Sequence, residues 1–98
     1  MNIDKETEWM VHFHKALNNP ERLKIVDILA EGEQCQCDIF RQIGLSQSTV
    51  SSYLTQLVRA GILNVRRDGT RKLYGFSDVR IQRLIEDIHA LAIKMASR

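Results

Sequence analysis

The chain lacks the features that build a membrane span, an export signal or a phosphate-binding loop. No apolar run approaches the roughly 20 residues that a bilayer-crossing helix needs. Its start, MNIDKETEW, is acidic and has no apolar signal core. The expectation is a cytoplasmic protein with no membrane partner. There is no internal repeat and no low-complexity tract. No Gly-rich phosphate loop occurs, the carboxylates form no paired pattern on one face, and Cys35 has no histidine near it in sequence. Nothing therefore points to an enzyme. Cysteine is scarce too. The two present, Cys35 and Cys37, read in a reducing compartment as thiols rather than a structural disulfide.

What remains is an ordinary globular composition, 44% apolar and 27% charged, over 98 residues. That length suits one domain, residues 1–98, with a modest core. The net charge of +2 says little, but its distribution says more. Residues 41–76 carry six basic residues (Arg41, Arg59, Arg66, Arg67, Arg71 and Lys72) against the single acid Asp68, a net of +5. The rest carries eight basic residues against eleven acids, a net of −3. Positive charge gathered on one segment is the footprint of a nucleic-acid face.

Helical spacing of Trp9, Phe13, Ala16 and Leu17 predicts a first helix over about 4–18, with Asp4 as its N-cap. His12 and His14 lie on it about 200° apart at ~100° per residue, which argues against a shared metal ion. They are expected to be one partly packed and one solvated histidine. The one proline follows a capping amide at Asn19-Pro20 and predicts a second helix that runs on to Gly32. EGEQCQC reads as a polar turn. A short helix is expected over Asp38–Ile43, closed by Gly44.

After the tight turn Gly44-Leu45-Ser46 comes SQSTVSSYLTQLVRAG, whose Val50, Tyr53, Leu54, Leu57 and Val58 form one apolar stripe. Its other face, Gln47, Ser48, Thr49, Ser51, Ser52 and Gln56, is rich in hydrogen-bonding groups and holds no carboxylate. A solvated face normally mixes Glu and Lys, whereas uncharged donors and acceptors suit base edges. Two short helices joined by such a turn match a helix-turn-helix. ILNVRR and TRKLYGF then flank Asp68-Gly69, a hairpin signal in which both residues tolerate positive φ. A basic hairpin there makes a wing able to reach phosphates beside the recognition helix. A last helix from Ser77 or Asp78 carries the seam Ile81, Leu84/Ile85, Ile88, Leu91/Ala92 and Met95. Burial of that seam within the monomer is one solution. A symmetric dimer through the first and last helices is the other, and it would present two recognition helices to a palindrome. The fold expected is mainly α with a small β-hairpin, a winged helix-turn-helix in the order α-α-α-α-β-β-α.

This arrangement resembles the ArsR/SmtB family of winged-helix transcriptional repressors over nearly the whole chain, through ALNNPERLKIVDIL, QCQCDIF, LSQSTVSSYLTQLVRAGIL and VRRDGTRKLYGF. The resemblance implies a homodimer on double-stranded operator DNA, needing no resident cofactor and released by a metal ion or metalloid. Cys35 and Cys37 match the Cys-x-Cys-Asp of its arsenic- and cadmium-type sensors. The departures are informative. Phe40 stands where arsenic-type members place a third thiolate, and no N-terminal cysteine supplies the cadmium-type ligand. Asp87-Ile88-His89 matches half of a zinc-type site, but the sequence ends at Arg98 before the second half, so both are expected to be solvated or at a dimer rim. Ser52-Tyr53 occupies positions where histidines are frequent.

Thiolates are soft donors suited to arsenite, antimonite, cadmium, lead or copper(I). The function expected is thus a repressor released when such an ion binds Cys35 and Cys37. A thiol-redox repressor and a winged-helix regulator with no small inducer stand as alternatives; an intramolecular Cys-x-Cys disulfide is expected to be strained. DNA contact is expected from Gln47, Ser48, Thr49, Ser51 and Ser52 in the groove, and from Arg41, Arg66, Arg67, Arg71 and Lys72 on phosphates.

Overall fold

A computed structural model describes residues 2–97. The order is α1 (Lys5–Leu17), α2 (Pro20–Leu29), β1 (Gln34–Cys35), α3 (Gln36–Ile43), α4 (Gln47–Arg59), β2 (Leu63–Asp68), β3 (Arg71–Phe76) and α5 (Val79–Ala96). Five helices and a three-stranded antiparallel sheet in the order β1-β3-β2 make a winged helix-turn-helix.

The helix starts follow capping chemistry. Asp4 accepts from the Thr7 N–H, Asn19 from those of Glu21 and Arg22, and Ser46 from that of Thr49. Each satisfies a first-turn donor that has no partner inside the helix. The core is a single cluster whose centre is Ile25, Val26 and Leu29 of α2, Ile39 of α3, and Val50, Leu54 and Leu57 of α4, with Ile62 and Leu63 beneath the wing. Of the stripe expected on α4, Val50, Leu54 and Leu57 are buried, while Tyr53 and Val58 lie half-buried at its edge.

Four features differ from expectation. The polar turn EGEQCQC contains a strand: β1 pairs with β3 in the register Gln34↔Tyr74 and Cys35↔Leu73. Two residues are too few to show an alternating pattern, so only the tertiary pairing reveals them. The following helix starts at Gln36 rather than Asp38, with Cys35 as its N-cap. Helix α2 ends at Leu29, and Gly32, at φ 131°, lies in the loop beyond it rather than at a left-handed C′ position. In the wing, Asp68 pairs with Arg71, so the two-residue turn is Gly69-Thr70 and only Gly69 takes positive φ, at 67°. A positive φ confined to the first turn position belongs to the II′ class, which matches strand twist as well as the turn expected at Asp68-Gly69.

α5 buries only Ile85 of its eighteen residues. Trp9, Met10, Leu84, Ile88 and Leu91 are each 46–59% exposed. The radius of gyration, 14.2 Å, exceeds the about 12.6 Å usual for a compact chain of this length. The terminal helices therefore stand out from the core and carry an unburied apolar face. Both histidines of α1 are exposed, neither partly packed; His14 donates to the Met10 carbonyl at 2.7 Å and sets its edge against Phe13. No helix among the described residues is long and apolar enough to cross a membrane.

Candidate nucleic-acid interface and thiol centre

Helix α4 projects its N-terminal turn outward because Gly44, at φ 72°, reverses the chain directly after α3. In that turn Ser46 Oγ accepts the Thr49 N–H at 3.2 Å and donates to Thr49 Oγ1 at 2.8 Å. Thr49 is therefore half-buried and engaged in the cap, while Gln47, Ser48, Ser51 and Ser52 are exposed. Gln56 Nε2 donates to Ser52 Oγ at 3.3 Å, and the Tyr53 hydroxyl turns away to donate to Glu21 at 3.2 Å, under the Arg22 guanidinium.

The five basic side chains fall into different settings. Arg66 is clamped by Glu33, its Nε and Nη2 donating to the carboxylate at 2.8–3.2 Å. This hydrogen bonding to Glu33 raises the Arg66 pKa further. Arg41 Nη1 meets Asp38 Oδ1 at 3.3 Å, and Arg71 Nη2 lies 4.0 Å from Asp38 Oδ2. Arg67 and Lys72 are exposed, face each other across the β2–β3 ladder, and make no ion pair among the described residues.

One short segment upstream, Cys35 and Cys37 are joined to each other as a disulfide. This corrects the expectation of free thiols. The chain switches from strand to helix between the two residues, leaving their Cα atoms 5.3 Å apart, within the ordinary range for a bridge. Cys35 is buried and its Sγ caps α3 by accepting the Asp38 N–H at 3.2 Å; Cys37 is exposed. The two sulfurs and a carboxylate oxygen of Asp38 lie within 4.8 Å of one another. Asp38 is the site residue that sequence reasoning passed over. Its signal, adjacency to Cys-x-Cys, was present, but an acid in a first helical turn is fully explained by the helix dipole alone. Cys37 also opens into a cleft of about 380 Å³ lined by Gln36, Phe40, Arg41 and Gln47, so it borders the start of the recognition helix.

The half-motif Asp87-Ile88-His89 does not gather its two polar ends. Asp87 is exposed, and His89 Nδ1 sits 3.1 Å from Asp27 of α2. His89 and Asp27 line the rim of an apolar groove of about 330 Å³ between α2 and α5, together with the exposed Leu23.

A capped helix after a glycine turn, with a basic wing beside it, defines a DNA-binding transcriptional regulator rather than an enzyme. The profile described as "Bacterial regulatory protein, arsR family" matches residues 19–65. A probable mercury resistance operon repressor of Streptomyces lividans is 34% identical over 85 residues, 87% of this chain and 68% of that protein. An arsenical resistance operon repressor of Staphylococcus aureus is 30% identical over 79% of this chain and 74% of its own length. Among solved structures, the homodimeric winged helix-turn-helix DNA-binding domain of a possible ArsR-family regulator from Mycobacterium bovis superposes with a TM-score of 0.86. It is 30% identical, over 96% of this chain and 90% of that one. The chain belongs to the ArsR family of helix-turn-helix transcriptional regulators.

Proposed function

We propose that the protein is a homodimeric repressor that binds palindromic operator DNA and leaves it when a thiophilic metal or metalloid binds Cys35 and Cys37. The observation that carries this reading is the convergence of two sulfurs and the Asp38 carboxylate within 4.8 Å, on the wall of a cleft shared with Gln47. The donor set fits such an ion. Reduced, Cys35 and Cys37 offer two soft thiolates at a helix N-terminus, and Asp38 adds a third donor where Phe40 cannot. Bound to the reduced pair, arsenic, antimony, cadmium or lead would tie Cys35, Cys37 and Asp38 together in place of the bridge. The relatives named for mercury and arsenical resistance support the same chemistry. The M. bovis homodimer supports the exposed faces of α1 and α5 as the dimer surface.

The chain's own residues supply the transmission. Cys35 is at once the last residue of β1, laddered to Leu73 of the wing, and the N-cap of α3. Displacing it therefore moves both the wing and the helix that leads through Gly44 to α4. A difference of ~1–3 kcal/mol between conformers lowers operator affinity ~5–150-fold. Groove contacts fall to Gln47, Ser48, Ser51 and Ser52, with Thr49 shaping the cap, and phosphate contacts to Arg67 and Lys72 first, then Arg41, Arg71 and Arg66. Two like charges directly opposed in a ladder are unfavourable without a counter-anion, which suits a pair that awaits phosphate.

The joined sulfurs favour a second reading, release by oxidation. There a hydroperoxide accepts two electrons and two protons from the thiols, closing the bridge and leaving water and an alcohol or a second water. A DNA-binding titration of the reduced protein with arsenite, antimonite, cadmium, zinc and peroxide tests both. Release by a thiophilic ion supports the first; release by peroxide alone, reversed by dithiothreitol, supports the second. No response to any of them, with Cys35→Ser and Cys37→Ser unchanged, sinks both and leaves a regulator without a small inducer.

A further inference from the structure

We infer that the Asp38 carboxylate is shared between the thiol centre and the wing, so that an ion bound by Cys35 and Cys37 takes Asp38 away from Arg71 and loosens the wing from α3. This rests on the thiophilic-ion reading above and adds a route of regulation to it.

Three contacts converge on Asp38 from three elements. Its backbone N–H donates to Cys35 Sγ at 3.2 Å. Its Oδ1 faces Arg41 Nη1 of its own helix at 3.3 Å, and its Oδ2 faces Arg71 Nη2, at the start of β3, at 4.0 Å. Among the described residues no other carboxylate pairs with these two arginines. Glu33 is occupied by Arg66, and Asp68, the one acid in residues 41–76, forms no ion pair among the described residues although it is the ladder partner of Arg71. Each oxygen of Asp38 thus faces a basic side chain, while the same group lies within 4.8 Å of both sulfurs.

A carboxylate that donates electron density to a bound cation is a poorer partner for a guanidinium. The two uses therefore compete, and the competition is reciprocal. Arg71 stands two residues from Leu73, the ladder partner of Cys35, so the same stretch of β3 is tied to the thiol centre twice, by backbone pairing and by charge. Arg71 lies one ladder pair from Arg67–Lys72, and freeing it shifts the cations that would meet phosphate.

The test needs no DNA. Cadmium is titrated into the full-length protein, reduced with a non-thiol reductant, and followed by the ultraviolet thiolate-to-metal absorption. Arg71→Ala removes the wing's competitor for Asp38, leaving Arg41 of α3 in place, and should tighten cadmium binding about two- to fivefold, the weight of an exposed ion pair, with the gain shrinking in high salt. Arg67→Ala deletes an equal charge from the wing without touching Asp38 and should leave cadmium affinity unchanged. In an Asp38→Asn background the Arg71→Ala gain should vanish. Equal affinities for the unmodified protein and Arg71→Ala overturn the inference. So does a gain that Arg67→Ala reproduces or that survives in Asp38→Asn, since either is generic charge. Failure of the unmodified protein to develop the thiolate–cadmium band overturns the ion reading itself, and the inference falls with it. Circular dichroism of each variant establishes that it is folded.

Discussion

Arg66, Arg67, Arg71 and Lys72 are equivalent in sequence, four cations on one hairpin, yet each meets a different neighbour. Glu33 neutralises Arg66, Asp38 approaches Arg71, and Arg67 and Lys72 oppose only each other. Arg67→Ala should therefore weaken binding to every DNA sequence and flatten the dependence of log K on log salt by about 0.9, read from a salt titration. Gln47→Ala should behave differently. Its exposed amide sits at the end of α4 proposed to enter a groove, so its loss should remove about 1–3 kcal/mol of discrimination at one base position while affinity for random duplex holds. A competition assay with single-base operator variants reads this directly. The reverse pattern, with Arg67 setting sequence preference, would mean that the wing and not α4 reads bases.

The helix-turn-helix depends on one backbone choice. Gly44 closes α3 at φ 72° with open space around the position where a Cβ would stand, so Gly44→Ala meets no clash and tests conformation alone. It should lower stability by about 1–2 kcal/mol, the cost of a left-handed L-residue, measured by urea unfolding. α5 depends on its cap. The guanidinium of Arg80, by hydrogen bonding first, and its backbone N–H hold the Asp78 carboxyl down to about 2 from the ordinary 3.8. A carboxyl depressed in the folded state lends stability that is complete above its unfolded value and is lost as pH falls through its folded one. The Asp78 cap should thus persist at pH 4 and fail on approach to pH 2. Carboxyl NMR titration of Asp78 and far-ultraviolet circular dichroism should record both events, and an Asp78 midpoint near 4 would contradict the capping geometry.

For the molecule as a whole, the decisive feature is what α1 and α5 leave uncovered. Leu84, Ile88 and Leu91 lie along one side of α5, and Trp9 stacks on Phe13 at 5.1 Å while remaining 46% exposed. An apolar face this continuous is a surface awaiting a partner. Ile88→Glu should convert a dimer to a monomer in sedimentation velocity and abolish tight operator binding, because the two half-sites of the proposed palindrome then have to be occupied independently. A variant that stays dimeric with intact binding would move the interface elsewhere.

Sequence alone determined the elements whose signals are local. Helix periodicity, the caps at Asp4 and Asn19, and the glycine turn at Gly44 are all written within a few neighbouring residues, and with the hairpin signal they suffice for the helix-turn-helix and the wing. The tertiary structure decided what depends on residues far apart. Strand β1 exists only because Gln34 and Cys35 meet Tyr74 and Leu73 across nearly forty positions, and a two-residue strand has no pattern of its own. The same folding gives four similar cations three settings, one clamped by Glu33, one near Asp38 and two opposed only to each other. It also makes Asp38, a routine helix-start acid by sequence, the point where the thiol centre and the wing touch. Periodicity records which face a residue occupies; only the packed chain records which charge stands opposite it.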